Sequence, residues 1–284
     1  LATFDLDIPE VTDALIRAKH RGLAVRAIVD SENLQTPEVS HEAGRLESAG
    51  IPLRVDDREP FMHNKFLVVD EAVAWTGSWN VTTNDLYRNN NNFVRFNNNL
   101  IAADYTYEFN QMFDGRFGTQ KTSGTSYPQV QVGSANVQVF FSPEDGVAKY
   151  VMQRLKAAKV NIRFMAFSYT ADDIAGAMIA QKNAGLVVQG VFEKQNAGGS
   201  GAEYAQLKSG GVDVLEDGNC YILHHKVIII DERMVITGSY NFTSSAERDN
   251  DENLVIIDDP AIARGYLDEF NRTYAQAQAP TRCR

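Results

Sequence analysis

Two histidine–lysine pairs are the most reactive groups that this chain repeats. His63 and Lys65 form one pair, His224 and Lys226 the other. Each is followed at the same spacing by an aspartate, a Gly-Ser step and an asparagine. These are Asp70, Gly77, Ser78 and Asn80 in the first copy, and Asp231, Gly238, Ser239 and Asn241 in the second. The pattern H-x-K-x4-D-x6-G-S-x-N is met twice without a gap. Such a set suits a phosphodiester: ammonium and amide groups stabilise the non-bridging oxygens, and an imidazole attacks phosphorus or protonates a leaving oxygen. In-line displacement calls for two imidazoles on opposite sides of the phosphorus, and the duplication provides the second. The two lysines bring the charge that a divalent ion would otherwise supply, so no metal and no cofactor are expected.

The elements that position these groups read as hairpins. Residues 66–69 and 227–230 are continuous apolar runs, as expected of strands buried on both faces. Side chains alternate along a strand, so His63 and Lys65 share a face while Asn64 takes the other. Residues 73–79 read as the returning strand. A turn centred on Glu71 and Ala72 would set His63 opposite Asn80 and Lys65 opposite Ser78; a symmetric four-residue loop keeps that register. Trp79, Tyr240, Asn64 and His225 then fall on the opposite face and are assigned to packing.

The duplication extends well beyond the motif. Residues 10–22 match 173–185, and the agreement resumes through the motifs and on to the Glu-Phe-Asn steps at 108–110 and 269–271. Each half alternates helix and strand, with helices over residues 10–21 and about 36–48 and strands over 23–29 and 51–55 in the first. This predicts an α/β fold of two pseudo-symmetric α/β/α sandwich halves with mixed, largely parallel sheets and the active site at their interface. The halves are residues 1–118 and 137–284, joined by a polar linker at 119–136. Residues 137–164 supply a strand, a helix and another strand before the repeated helix of the second half. The first half has no counterpart, which leaves about 25–30 residues missing by the logic of the repeat.

The paired motif resembles that of the phospholipase D superfamily, over nearly the whole chain, and the compact size is similar to the bacterial nuclease branch. The resemblance implies a metal-independent reaction through a covalent phosphohistidine, at a site shared by the two halves. It implies structural roles for Asp70 and Asp231. It also implies that a residue near Glu252, which lies 28 positions beyond His224, orients the catalytic imidazole; Asn91 holds the matching position after His63. A carboxylate favours imidazolium and an amide does not. On that reading His63 is the nucleophile and His224 the general acid, with Glu252 holding the charge on His224.

Composition bounds the substrate only loosely. The chain has 284 residues, 44% of them apolar and 23% charged, which excludes wholesale disorder. No apolar run approaches the ~20 residues needed to span a bilayer. A formal charge of −10 argues against bulk attraction to nucleic acid or anionic lipid, so any such substrate depends on a local cationic cleft. A nucleic acid is the favoured partner, since the segments between strand and motif are short. A phospholipid is the alternative, and a non-catalytic phosphate-binding module ranks last. The two cysteines, Cys220 and Cys283, either pair or stand as unrelated thiols. A pair would fit an exported protein. The internal two-fold leads us to expect a monomer.

Overall fold

The computed structural model describes residues 1–127, 129–280 and 283. The first half runs β1 (Ala2–Thr3), α1 (Pro9–His20), β2 (Ala27–Val29), α2 (Pro37–Ser48) and β3 (Leu53–Val55). It continues through β4 (Phe66–Val69), β5 (Val73–Gly77), α3 (Thr83–Tyr87), β6 (Phe93–Asn97) and α4 (Asn99–Phe113). The second half opens with β7 (Val130–Val132), β8 (Ala135–Ser142), α5 (Val147–Ala157), β9 (Asn161–Ala166), α6 (Asp172–Asn183) and β10 (Val187–Phe192). Next come α7 (Lys194–Ala197), α8 (Tyr204–Ser209), β11 (Asp213–Glu216), β12 (Lys226–Ile230) and β13 (Met234–Gly238). The last elements are α9 (Ser244–Arg248), β14 (Glu252–Asp258) and α10 (Pro260–Gln278).

Two mixed sheets result, with strand orders β3-β2-β1-β4-β5-β6 and β11-β10-β9-β12-β13-β14-β8-β7. The first six positions correspond one to one, and among the described residues the second sheet carries a further pair, β8 and β7. Among the strands of the described residues, parallel pairing falls in β3-β2-β1 and β11-β10-β9, where helices make the crossovers. The motif hairpins and their neighbours are antiparallel, so the parallel share is smaller than helix–strand alternation suggests. Local signals fix the element ends. Pro9 and Pro37 occupy first turns. Asn98 and Asp259, at matching places in the repeat, cap α4 and α10 by accepting from the second and third backbone N–H groups.

The motif hairpins differ from expectation by one residue. Phe66 opposes Thr76 and Ile228 opposes Ile236, which sets Lys65 level with Gly77 rather than Ser78, and Lys226 with Gly238. The cause is the turn. Asp70, Glu71, Asp231 and Glu232 all adopt positive φ of 51–55°, and the turns close with Ala72 N–H on the Val69 carbonyl and Arg233 N–H on the Ile230 carbonyl. An odd three-residue loop shifts the register.

The halves are fused by a shared core. Phe66, Tyr105 and Phe109 of the first pack with Val139, Phe141, Val255 and Ile257 from β8 and β14 of the second. The linker joins that union. Its Lys121 is buried among Glu108, Glu144 and Asp251, and β7 returns along β8. Cys220 and Cys283 form a disulfide. No helix among the described residues is long and apolar enough to cross a membrane.

Candidate active site

Two cross-braces carry the motif histidines to the interface. Met62 bridges to Asp251, and Leu223 bridges to Asn90, at equivalent places in the repeat. Asp251 N–H donates to the Phe61 carbonyl at 2.9 Å, and His224 N–H to the Asn90 carbonyl at 2.7 Å. Each brace sets a residue of one half beside the histidine of the other. The x residues of the motifs complete the weave. Asn253 donates to Asn64 Oδ1 at 2.8 Å, and His225 Nδ1 lies 3.2 Å from Asn92 Oδ1. Asn64 and His225 are thus buried, as alternation requires, but they clamp one half to the other rather than filling a core. Glu108 and Glu269, on the matching Glu-Phe-Asn steps, back them up.

The brace overturns the expected pairing of Glu252. Its Oε2 lies 2.8 Å from His63 Nδ1, not beside His224. Asn91 in turn does not reach His63; its amide donates to the Asp85 carbonyl at 2.7 Å. The carboxylate beside His224 is Asp85, with Oδ2 3.3 Å from Nδ1. Asp85 sits on α3 and accepts from Asn80 N–H and Asn89. The corresponding position in the second half is Ala246, so comparing the copies gives no hint of Asp85. It is the functional residue that the sequence reading missed.

The two copies otherwise match closely. Lys65 Nζ donates to the His63 carbonyl at 2.9 Å, and Lys226 Nζ to the His224 carbonyl at 3.0 Å. Phe4 meets the His63 ring edge-on at 4.8 Å and lies 4.9 Å from Lys65 Nζ. Phe167 does the same for His224 and Lys226, at 4.8 and 4.7 Å. Gly77 and Gly238 are required because a Cβ there would lie 2.2 and 2.3 Å from the carbonyls of Asn92 and Asn253. Ser78 and Ser239, displaced by the register, use their hydroxyls to accept the backbone N–H groups of Asn92 and Asn253. They hold the strand that follows rather than aligning with the lysines. Asn80 and Asn241 stay half-buried, each with a buried Oδ1 that lacks a protein partner. Asp231 accepts backbone N–H groups from Lys159, Val160 and Asn161, far from the histidines.

Burial governs the electrostatics. His63 and His224 are only 6% and 7% exposed, and both lysines are buried. Burial, then the neighbouring lysines, lowers His63 well below the ordinary histidine range. Burial and Lys226 bring His224 to about 4, with Asp85 opposing. Burial pushes Lys65 down to about 8, and burial with Lys65 depresses Lys226 further. Glu252 is raised by burial to about 8. Asp85 is raised by its burial too, but attraction to His224 and its hydrogen bonds bring it to about 2. Asp85 is therefore the firmly ionised carboxylate, and His224 the easier imidazole to protonate. Glu252 Oε2 and His63 Nδ1 lie at hydrogen-bond distance, 2.8 Å, so a proton on either atom can bridge the two.

Two imidazoles, each with a carboxylate close to Nδ1 and each flanked by a buried lysine, make up one candidate phosphodiester site shared between the two α/β halves. Residues 1–113 and 151–274 match the family described as "Cardiolipin synthase, PLD-like domain". The chain belongs to this family and is a phosphodiesterase of the phospholipase D superfamily. A phospholipase D of Rickettsia prowazekii (strain Madrid E) is 30% identical over 171 residues, covering 60% of this chain and 83% of that protein. The mitochondrial cardiolipin hydrolase of Xenopus tropicalis is 29% identical over 132 residues, covering 46% of this chain and 63% of that one. The phosphatidylserine synthase structure from Haemophilus influenzae Rd KW20 shares the fold over 99% of this chain and 82% of its own, with a TM-score of 0.69 at 13% identity.

Proposed function

We propose that the chain hydrolyses phosphodiesters of nucleic acid through a phosphohistidine on His63. His63 Nε2 attacks phosphorus, a P–N bond forms, and the P–O bond to the leaving group breaks. His224 gives its proton to the departing oxygen. Water then attacks the phosphohistidine, His224 takes the proton, and His63 is released. Lys65 and Lys226, with the amides of Asn80 and Asn241, stabilise the non-bridging oxygens. Glu252 and Asp85 act as positioning residues for the two rings.

The observation that carries the nucleic-acid reading is the rim beside His224. Tyr221 stands three residues ahead of that histidine, is 46% exposed, and has the Arg88 guanidinium 5.3 Å from its ring centre. Tyr87, on the helix that delivers Asp85, is 71% exposed. Aromatic rings backed by arginine are stacking platforms for bases. A cavity of about 870 Å³ opens by Phe61 on the His63 side, lined by Ser31, Gln35, Arg58, Glu59, Asp249 and Asn250 among others. Its polar lining suits a polar polymer better than acyl chains. The acidic members leave few cations to contact phosphates, so binding there should be weak and its salt dependence shallow.

The names of the relatives favour a second reading, release of a phospholipid head group by the same chemistry. One experiment separates the two: cleavage of single-stranded and plasmid DNA and of RNA in excess EDTA, beside phosphatidylcholine and cardiolipin vesicles, with His63→Ala as control. Nicking lost in the variant supports the nuclease. Head-group release without nicking overturns it in favour of the lipid. The disulfide supports an exported protein, which we also propose.

A further inference from the structure

The backbone step that enters each motif histidine is held by a carboxylate that neither motif contains. Asp30 stands directly after β2 and Glu193 directly after β10. They occupy the same place in the repeat, at the offset that relates residues 10–22 to 173–185. Asp30 Oδ2 accepts the Met62 N–H at 2.9 Å, and Glu193 Oε2 accepts the Leu223 N–H at 2.6 Å. Met62 and Leu223 are the residues immediately ahead of His63 and His224. Each carboxylate turns its other oxygen to the loop after its own strand. Asp30 Oδ1 takes the Glu32 N–H at 3.0 Å, and Glu193 Oε1 takes the Gln195 N–H at 3.2 Å.

The chemistry of the position explains the residue types. Both oxygens accept, so the place calls for a group with two acceptors and no donor, which a carboxylate is and an amide is not. Asp30 and Glu193 are each 1% exposed, and Met62 and Leu223 are fully buried. An N–H stripped of its acceptor at such depth is costly, so the backbone would move to find another. The same two residues carry the cross-braces to Asp251 and Asn90. The Phe61 and Ile222 carbonyls just ahead of them accept from the Asp251 and Asn90 N–H groups. Each step into a histidine is therefore fixed from two directions, by a side chain of its own half and by the backbone of the other.

We propose that Asp30 and Glu193 are positioning residues that act through the backbone of the histidine in their own half, a reading that rests on the roles proposed above for the two histidines. Asp30 sets the line along which His63 attacks phosphorus, and Glu193 sets the reach of His224 to the leaving oxygen. Each histidine then answers to two carboxylates. Glu252 and Asp85, each from the opposite half, face Nδ1 and govern the rotation of the ring. Asp30 and Glu193 govern where the chain delivers that ring.

The test uses Asp30→Asn and Glu193→Gln, which keep the shape and one acceptor oxygen but set an NH2 group against a backbone N–H. The burst from bis(p-nitrophenyl) phosphate reports P–N bond formation. The unactivated substrate is whichever of single-stranded DNA and phosphatidylcholine the parent chain cleaves, so the outcome does not depend on substrate class. Asp30→Asn should lower the burst rate and the unactivated turnover alike, by about 10- to 100-fold, because attack geometry is steep. Glu193→Gln should lower the unactivated turnover by a similar factor and leave the burst within about threefold of the parent, since p-nitrophenolate departs without an acid. Half-saturating substrate concentrations should not change in either variant. Asp30→Glu and Glu193→Asp, which retain the carboxylate and install the residue that the other half uses, should recover most of the loss. The reversed pattern, a burst lost in Glu193→Gln and kept in Asp30→Asn, would uphold each carboxylate as acting on its own histidine while overturning the roles assigned to the histidines. Equal losses of both variants on both substrates would overturn the proposal. So would losses that vanish once corrected for the folded fraction, or the absence of recovery in both carboxylate-retaining variants.

Discussion

Replacing Asp85 by asparagine keeps the shape of the side chain and removes the charge that favours a proton on His224. The carboxylate is 2% exposed, the imidazole 9%, and their nearest atoms are 3.3 Å apart. An opposite charge at such range ordinarily shifts a pKa by about 1–3 units, with the upper part of that range fitting a buried pair. His224 stands at about 4 with Asp85 present, so its loss lowers the protonated fraction at neutral pH about 10- to 1000-fold. That loss falls only on a step that needs the acid. With an alkyl or nucleoside leaving group, Asp85→Asn should lower kcat by about 10- to 1000-fold. With bis(p-nitrophenyl) phosphate the leaving group departs unaided, and the p-nitrophenolate burst rate should stay within about threefold of the parent. Glu252→Gln and His63→Ala should suppress both substrates, since they touch the attacking ring. Equal losses of Asp85→Asn on the two substrates, or a burst defect larger than that of Glu252→Gln, would refute the division of roles.

Further consequences follow from the depressed cations and the shared interface. Lys65, Lys226 and His224 all lie below their ordinary pKa values in the free site, and an entering anion raises them. Inorganic phosphate should therefore bind with proton uptake near pH 8, read by calorimetry in buffers of different ionisation enthalpy; proton release would contradict it. Asp85 titrates at about 2 in the fold against an ordinary 3.8. The stability it contributes is complete above about pH 4 and is lost as pH falls towards 2, so acid denaturation of Asp85→Asn should be less steep there. Asn253 donates to Asn64 Oδ1 and accepts from Thr76 and Tyr105. Asn253→Ala should cost about 2–4 kcal/mol in urea unfolding, because it strands buried partners. The Cys220–Cys283 bond closes a loop of 63 residues, worth about 4 kcal/mol in the chain-entropy account. Reduction should lower Tm, and the unreduced protein should be lighter by two hydrogens; equal masses would refute the bond.

The chemistry-bearing residues were legible because they recur at fixed spacing in two copies. So was the uneven repeat, since residues 137–164 had no partner. What escaped was whatever depends on a turn or on the interface. The register slipped by one because Asp70 and Glu71 enter left-handed conformations that neither residue type demands. Glu252 was assigned to His224 by nearness in sequence, whereas the Met62–Asp251 brace carries it across the two-fold to His63. The mirror brace, Asn90–Leu223, brings Asn91 towards the other ring's half. An amide there carries no charge, and Asp85 supplies one from a different element. That substitution leaves no periodic signal, so only the fold reveals it.

The most direct test of the account is to trap the covalent intermediate. His224→Ala should release one equivalent of p-nitrophenolate per site from bis(p-nitrophenyl) phosphate and then stall, since the water that resolves the intermediate has lost its base. Mass spectrometry under neutral or alkaline quench should find the p-nitrophenyl phosphoryl group on the peptide containing His63, and Glu252→Gln in the same background should slow its appearance. No label on His63 in His224→Ala together with label on His224 in His63→Ala, or full turnover with no labelled histidine, would contradict the central claim.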